Sequence, residues 1–490
     1  MLVGTNKYVI KTITSTLAAA IFAIGIGATA QASQPELPEL GTAAASTLTI
    51  DKESQIGDFY MRMLRGQLPI VHDPVMTEYL SDIGNRLVAV ADNVKTPFTF
   101  FWVNSREMNA FAFFGGHVGI HTAIIDAADN ESELASVLGH EISHVTQRHL
   151  ARAIEAQKRT APATMVGVIG SIILAMASPE AGMAALQSTL ALSQQSSINF
   201  TRSNEKEADR IGIKTMVAAG FDPNGVPSFF GKMAAKYRFA SKPPQMLLTH
   251  PLPESRIADA RARAALYPYR PIPESLLFHL AKARTSVRYS NLDKNHALYL
   301  FEKQKNSGDP VIIQAANYGI ALTHLALDKP DEAQPIMETL LSNGPQNLFY
   351  LDTMTDVYMA QGKPEKAIAM LKNARKLRPD NSVIELNLAN ALHTKGDDDQ
   401  ARVILERQLV LDKNNVIAYD ILSGVYKKLG MIANQHMVQA ELIALSGGYE
   451  KAIEQLQYAY RQTGNDPLQK ARIDARIKEL RKSLQEAKSL

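Results

Sequence analysis

The chain has 490 residues and is ordinary in composition, 46% hydrophobic and 21% charged, which suits a globular protein of two or three cores. It contains no Cys, which excludes disulfides, thiol nucleophiles and lipidation of an exported N-terminus. A formal net charge of +3 offers no bulk electrostatic basis for nucleic-acid binding.

Lys7 and Lys11 precede an uncharged, mostly apolar run from Thr16 to Ala30, and Ala30-Gln31-Ala32 fits a small-residue cleavage site. This pattern predicts a signal peptide over residues 1–32. Losing Lys7 and Lys11 takes the net charge from +3 to +1. Pro35, Pro38 and an Ala/Ser/Thr run predict a flexible mature N-terminus over 33–50. A cleaved leader, no Cys and no later apolar run of about 20 residues together predict a soluble protein of a Gram-negative periplasm.

Apolar residues at helical spacing predict helices over Asp51 to Arg65 and Asp73 to Asp92. Pro97 to Asn104 reads as a strand. Two further strands, Asn109 to Phe114 and His117 to Ile125, flank Gly115-Gly116, and together they predict a small antiparallel sheet. An edge strand starting at Asn109 could pair with an extended peptide, with Gly115 and Gly116 letting a substrate backbone approach. His117 and His121 are either extra metal ligands or core histidines.

Ser132 to Arg148 contains H-E-x-x-H as His140, Glu141 and His144. Residues four apart share a helix face, so both imidazoles can reach one ion. Glu141 can project beside it, where a carboxylate takes a proton from an activated water. Asn130 with Glu133 reads as a capping box, and Leu134, Leu138, Ile142 and Val145 form the apolar stripe that buries the helix. The run Met165 to Ala177 carries no charge and is too short to span a membrane. It reads as a buried hairpin, a mobile cover, or a peripheral membrane contact.

A metal needs a third ligand. Arg202 to Arg210 supplies Glu205 and Asp209, four apart on one face. Glu205 can bind the ion while Asp209 accepts the N–H of a ligand His and fixes its tautomer. Glu207 points away from both and reads as solvated.

His140, Glu141 and His144 followed by Glu205, Ala208 and Asp209 resemble the metallopeptidases that include the CAAX prenyl protease and bacterial membrane heat-shock proteases. The segment before the helix, Asn109 to Phe113 with Gly115-Gly116, resembles theirs too. The resemblance covers roughly residues 50–265. It implies a gluzincin-type site with one Zn2+ per chain held by His140, His144 and Glu205, and Glu141 as general base. The absence of transmembrane helices departs from the membrane members and argues against prenyl-protein substrates.

His250-Pro251 with Arg256 also fits that pattern. A His near a three-ligand zinc can take the fourth position, and four protein ligands close a catalytic site. His250 is thus a candidate switch; a substrate hydrogen bond or a role-free helix start are the alternatives. Arg256 can stabilise an oxyanion, orient a carboxylate, or form a structural ion pair.

Three Pro between Tyr267 and Glu274 mark a linker over 267–275. Beyond it Gly362, Gly396 and Gly430 are 34 apart, as are Asn347, Asn381 and Asn415, and Ala333, Ala367 and Ala401. A period of 34 with small residues inside helical pairs predicts a tetratricopeptide superhelix over 276–490, a surface for protein partners. The Asn column reads as helix caps rather than ligand contacts. The expected fold is therefore an α+β gluzincin domain over 51–266, mostly helical with its small sheet, followed by an all-α repeat array. An exported gluzincin joined to such an array resembles periplasmic proteases that serve outer-membrane β-barrel assembly. That resemblance implies clients that are unfolded or misassembled outer-membrane proteins, and the assembly machinery as a partner of the repeats. The rival expectation is a chaperone or scaffold whose zinc site His250 keeps latent.

Overall fold

The computed structural model describes residues 48–160, 194–239, 244–268 and 270–489. The predicted leader, most of the predicted flexible N-terminus and the apolar run 165–177 lie outside the described residues.

Helix α1 (Ile50–Gln67) starts where the Thr49 hydroxyl accepts from the Lys52 amide at 3.2 Å. Helix α2 (Pro74–Val88) is capped by the Asp73 carboxylate, with Pro74 at its first position, where a missing N–H costs nothing. Strands β1 (Thr99–Val103), β2 (Ala110–Phe113) and β3 (His117–His121) form one sheet in the order β1-β3-β2. The sheet is mixed rather than antiparallel. β3 pairs parallel with β1, Phe101 opposite Gly119, and antiparallel with β2, Phe111 opposite Gly119. The 104–109 connection carries the chain past the central position, which β3 then fills. All residues of β2 and β3 are buried, as expected for strands covered on both faces.

The predicted strand from His117 to Ile125 stops at His121. Thr122 Oγ1 donates to the Ser105 carbonyl at 3.0 Å and accepts from the Ser105 amide at 3.1 Å. That pair ties off the strand, and α3 (Thr122–Ala127) takes Ile124 and Ile125 into the core as a helix. The two predicted glycines differ: Gly115 lines a cleft, whereas Gly116 packs on the chain itself. A Cβ on Gly116 would sit 2.1 Å from the Pro97 carbonyl oxygen, so the chain's own backbone fills the space foreseen for substrate.

Helix α4 (Glu131–Thr146) carries the H-E-x-x-H motif. Asn130 caps the Glu133 amide at 3.1 Å, and the Glu133 carboxylate accepts from the Asp129 amide at 2.7 Å. Leu134, Leu138 and Ile142 are fully buried. Helix α4 packs against α2, β2, α6 (Gln194–Ala218) and α7 (Gly225–Tyr237). Helix α5 (His149–Thr160) follows it directly, and α8 (Gln245–Thr249) and α9 (Glu254–Ala264) complete this region.

The remaining helices pair as an array: α10 (Leu276–Arg288), α11 (Lys294–Gln304), α12 (Pro310–Ala326), α13 (Pro330–Asn343), α14 (Leu348–Ala360), α15 (Pro364–Leu377), α16 (Ser382–Lys395), α17 (Asp398–Leu411), α18 (Val416–Lys428), α19 (Ile432–Leu445), α20 (Tyr449–Gln462) and α21 (Pro467–Ser489). The 34-residue glycine column extends both ways. Asp328, Gly362, Gly396, Gly430 and Gly464 all have φ between 58° and 97°. Each turns its pair through the left-handed region, which glycine enters freely and aspartate tolerates. Asn347, Asn381 and Asn415 cap α14, α16 and α18.

Among the described residues the core is continuous across the predicted linker. One cluster of buried side chains runs from Val71 through Leu134 and Phe278 to Val383. At its centre Arg284, 1% exposed, pairs with Asp73 and Asp352 at 2.7 Å each and donates to the Tyr318 hydroxyl at 3.1 Å. Farther along, Asn381 donates to Glu78 at 2.9 Å and Arg62 donates to the Ala444 carbonyl at 3.3 Å. The array therefore returns to α1 and α2.

Candidate metal centre

Two helices face each other through glycine. Gly139 on α4 lies against Gly212 on α6, and a Cβ on Gly212 would sit 3.2 Å from the Gly139 backbone and the His140 amide nitrogen. This close crossing brings the His140–His144 face of α4 to the Glu205–Asp209 face of α6.

The structure gathers His140, His144, Glu205 and His250, whose donor atoms all lie within 4.8 Å of one another. His140 Nε2 is 3.0 Å from His144 Nε2, 3.4 Å from His250 Nδ1 and 3.3 Å from Glu205 Oε2. His144 Nε2 is 3.4 Å and His250 Nδ1 3.1 Å from Glu205 Oε1. Ligands about 2.05 Å from a tetrahedral zinc would stand about 3.3 Å apart. The donor set thus fits such an ion in identity and spacing.

Around the donors the charges are paired. Asp209 Oδ1 lies 3.0 Å from His140 Nδ1, a carboxylate set beside the ring. Arg256, 3% exposed, holds Asp209 with Nε and Nη2 at 2.7 Å, Glu205 at 2.8 Å and the Pro251 carbonyl at 2.7 Å. Glu141 is fully buried and neither carboxylate oxygen has a hydrogen-bond partner; His250 Nε2 is 3.6 Å away.

Titration follows this arrangement. Burial alone would push Glu205 up, but His250, His140 and His144 hold it well below the carboxylate range. Burial raises Glu141, with only partial relief from His250 and His140. His140 resists burial through Asp209 and Glu205 and is pushed up to about 10, whereas burial takes His144 down to about 3. A cation that binds His140 displaces a proton from it.

Other predicted residues fall elsewhere. His117 Nε2 pairs with Asp58 at 3.2 Å, and His121 Nδ1 lies 2.9 Å from the Glu107 carbonyl; neither joins the donors. Asn109 is buried, with its carbonyl accepting from the His121 amide at 3.0 Å. Gly115, Ala112 and Phe113 line a cleft of about 250 Å³ with His144, Glu205 and His250. Glu207 is not solvated, because His149 at 3.2 Å and Arg152 at 3.0 Å engage it. His149 was not singled out from sequence. It stands beyond the end of the motif helix, and only the sharp α4–α5 turn brings its Nδ1 to 2.8 Å from His144 Nδ1. Its position five residues after His144 was the available signal.

The fold and site define a metallopeptidase. Residues 74–264 match the model of Peptidase family M48, and residues 358–423 match a tetratricopeptide repeat. The chain is 48% identical to the beta-barrel assembly-enhancing protease of Escherichia coli (strain K12), over 95% of this chain and 96% of that relative. It is 46% identical to a putative beta-barrel assembly-enhancing protease of Vibrio cholerae, over 92% and 94%. The mitochondrial metalloendopeptidase OMA1 of Schizosaccharomyces pombe is 28% identical over 39% of this chain and 53% of that relative. The chain belongs to the beta-barrel assembly-enhancing proteases, M48-type peptidases that carry tetratricopeptide repeats.

Proposed function

We propose that the chain is a zinc endopeptidase of the Gram-negative periplasm that promotes assembly of outer-membrane β-barrel proteins and degrades those that misassemble. The observation that carries the metal reading is the convergence of four donors beside Glu141, a buried carboxylate with no hydrogen-bond partner. Two imidazoles and a carboxylate suit zinc, one ion per chain, with His140, His144 and Glu205 as ligands. When bound, the ion supplies Lewis-acid polarisation of a peptide carbonyl and acidifies a water molecule. Glu141 takes a proton from the attacking water and passes it to the leaving amine. Burial raises its pKa, which makes the carboxylate a stronger base. Asp209 orients His140. Arg256 orients both carboxylates; it is enclosed, which disfavours an oxyanion role.

β2 is an edge strand whose Ala112 and Phe113 line the cleft. It supports main-chain pairing with an extended client, as a misassembled β protein would offer. The relatives' names support the same client class. In this reading residues 1–32 are the leader, 51–266 the peptidase, 267–275 the linker and 276–490 the surface that meets the assembly machinery.

A second reading, a chaperone-like resting state, is favoured by His250 among the donors. Four protein ligands close a zinc site, and catalysis needs one position open. Cleavage of an unfolded outer-membrane protein by purified full chain tests both. Glu141→Gln is expected to lower the rate by about 10² to 10⁴-fold, and His250→Ala to raise it. Unchanged cleavage by Glu141→Gln sinks the peptidase mechanism, and no rise with His250→Ala sinks the latency reading.

A further inference from the structure

Helix α4 ends at Thr146, and the chain does not run on. Arg148 takes φ +53°, a left-handed conformation at a non-glycine residue, which costs about 1 kcal/mol or more. The surroundings enforce it. Arg148 is buried, donates Nε and Nη2 to Glu53 on α1 at 3.0 and 2.5 Å, and donates Nη2 to the Leu48 carbonyl at 2.6 Å. The reversal starts α5 at His149 and turns its ring beside His144, with centroids 4.8 Å apart and planes at 77°. His149 is 4% exposed. One nitrogen faces His144 and the other faces Glu207.

We infer that His149, held by Glu207 and Arg152, is a positioning residue that fixes His144 in the tautomer able to bind the metal. The proton assignment follows from Glu207. Its carboxylate, gripped by Arg152 Nη1 at 3.0 Å, can only accept, so His149 Nε2 at 3.2 Å is the N–H that donates to it. His149 Nδ1 is then the lone pair, and the 2.8 Å contact with His144 Nδ1 is a hydrogen bond donated by His144. His144 Nε2 is left without a proton. It faces His140 Nε2 at 3.0 Å. The lone pair of His144 is thus turned into the space between the two rings, where a proton on His140 or a metal cation can lie. The opposite tautomer would put a lone pair of His149 against the Glu207 carboxylate and an N–H of His144 into the donor set. Each ligand His therefore has its own orienting chain: Asp209 with Arg256 for His140, and His149 with Glu207 and Arg152 for His144.

This rests on the metal reading above, and the test separates the two. Full-chain protein is stripped of metal, and its zinc affinity is measured by competition with a chromophoric chelator, alongside thermal unfolding of the metal-free form. His149→Phe keeps the volume and removes the acceptor, and is expected to weaken zinc binding about 10- to 100-fold. His149→Gln restores an acceptor and recovers part of the loss. Glu207→Gln, at a less enclosed position, weakens binding less than His149→Phe and covers the case in which that variant does not fold. Wild-type zinc affinity in folded His149→Phe, or in Glu207→Gln, overturns the inference while leaving the metal site intact. Failure of the unaltered chain to bind zinc overturns the metal reading instead.

Discussion

Two of the buried charge clusters among the described residues differ in whether their charges close. At the junction of peptidase and repeats, Arg284 meets Asp73 and Asp352 at 2.7 Å. Tyr289 adds a third hydrogen bond to Asp73 at 2.7 Å, and Asn387 supports Asp352 at 2.9 Å. Each charge there has a protein partner. At the donor cluster, neither oxygen of Glu141 accepts a hydrogen bond, and His140 and His144 turn nitrogens to each other at 3.0 Å. A completed cluster holds two parts of the chain together; an incomplete one waits for an ion and a substrate. Burial alone does not distinguish them, since both are almost fully enclosed.

The sharpest way to break the comparison is Arg284→Met, which leaves two carboxylates buried without their cation. It should cost about 3–5 kcal/mol in denaturant unfolding. Adding Asp73→Asn and Asp352→Asn should recover much of that loss, because a completed pair can be replaced as a unit. The donor cluster should behave differently: neutralising its carboxylates removes metal binding and restores nothing. Next comes Gly212→Val, which forces α4 and α6 apart where a Cβ already meets backbone at 3.2 Å. Overpacking of this kind costs about 1–3 kcal/mol, and zinc affinity should fall with it, read by chelator competition.

His250→Ala should have a smaller effect of opposite sign on activity. If the closed form holds about nine-tenths of the population, opening the site raises cleavage about tenfold, measured on an unfolded β-barrel client. The smallest effect lies in acid. Burial pushes Asp73 up, but Arg284, Arg288 and Tyr289 carry its carboxyl below the usual aspartate value. Because the folded value is depressed, its stabilisation is present above the unfolded value of about 3.9 and is lost as pH falls through the folded one. Melting temperature should therefore drop more steeply below about pH 4 in the unaltered chain than in Arg284→Met. Equal slopes would mean that Asp73 is not held by Arg284.

Much of this was legible in the sequence because it is local or periodic. Four-residue spacing put His140 with His144 and Glu205 with Asp209, and a period of 34 exposed the repeats. Helix caps at Asn130, Asn347, Asn381 and Asn415 need only neighbouring residues. What escaped depends on contacts between distant segments. The parallel β1–β3 pairing joins residues 18 apart, such as Thr99 and His117. The end of β3 is set by Thr122 meeting Ser105. Asp328 belongs to the glycine column by its backbone angle, not its residue type. Arg284, 211 residues from Asp73, looked like any helical arginine. Glu207 seemed solvated because its partners His149 and Arg152 lie across the cleft on α5.

The central claim is that His140, His144 and Glu205 hold one zinc beside Glu141. Elemental analysis of full-length protein purified without chelator tests it most directly, comparing the unaltered chain with Glu205→Gln. The expected result is about one zinc per chain, falling towards zero in the variant while its folding, read by circular dichroism, is kept. Metal-free wild-type protein, or undiminished zinc in Glu205→Gln, would contradict the account.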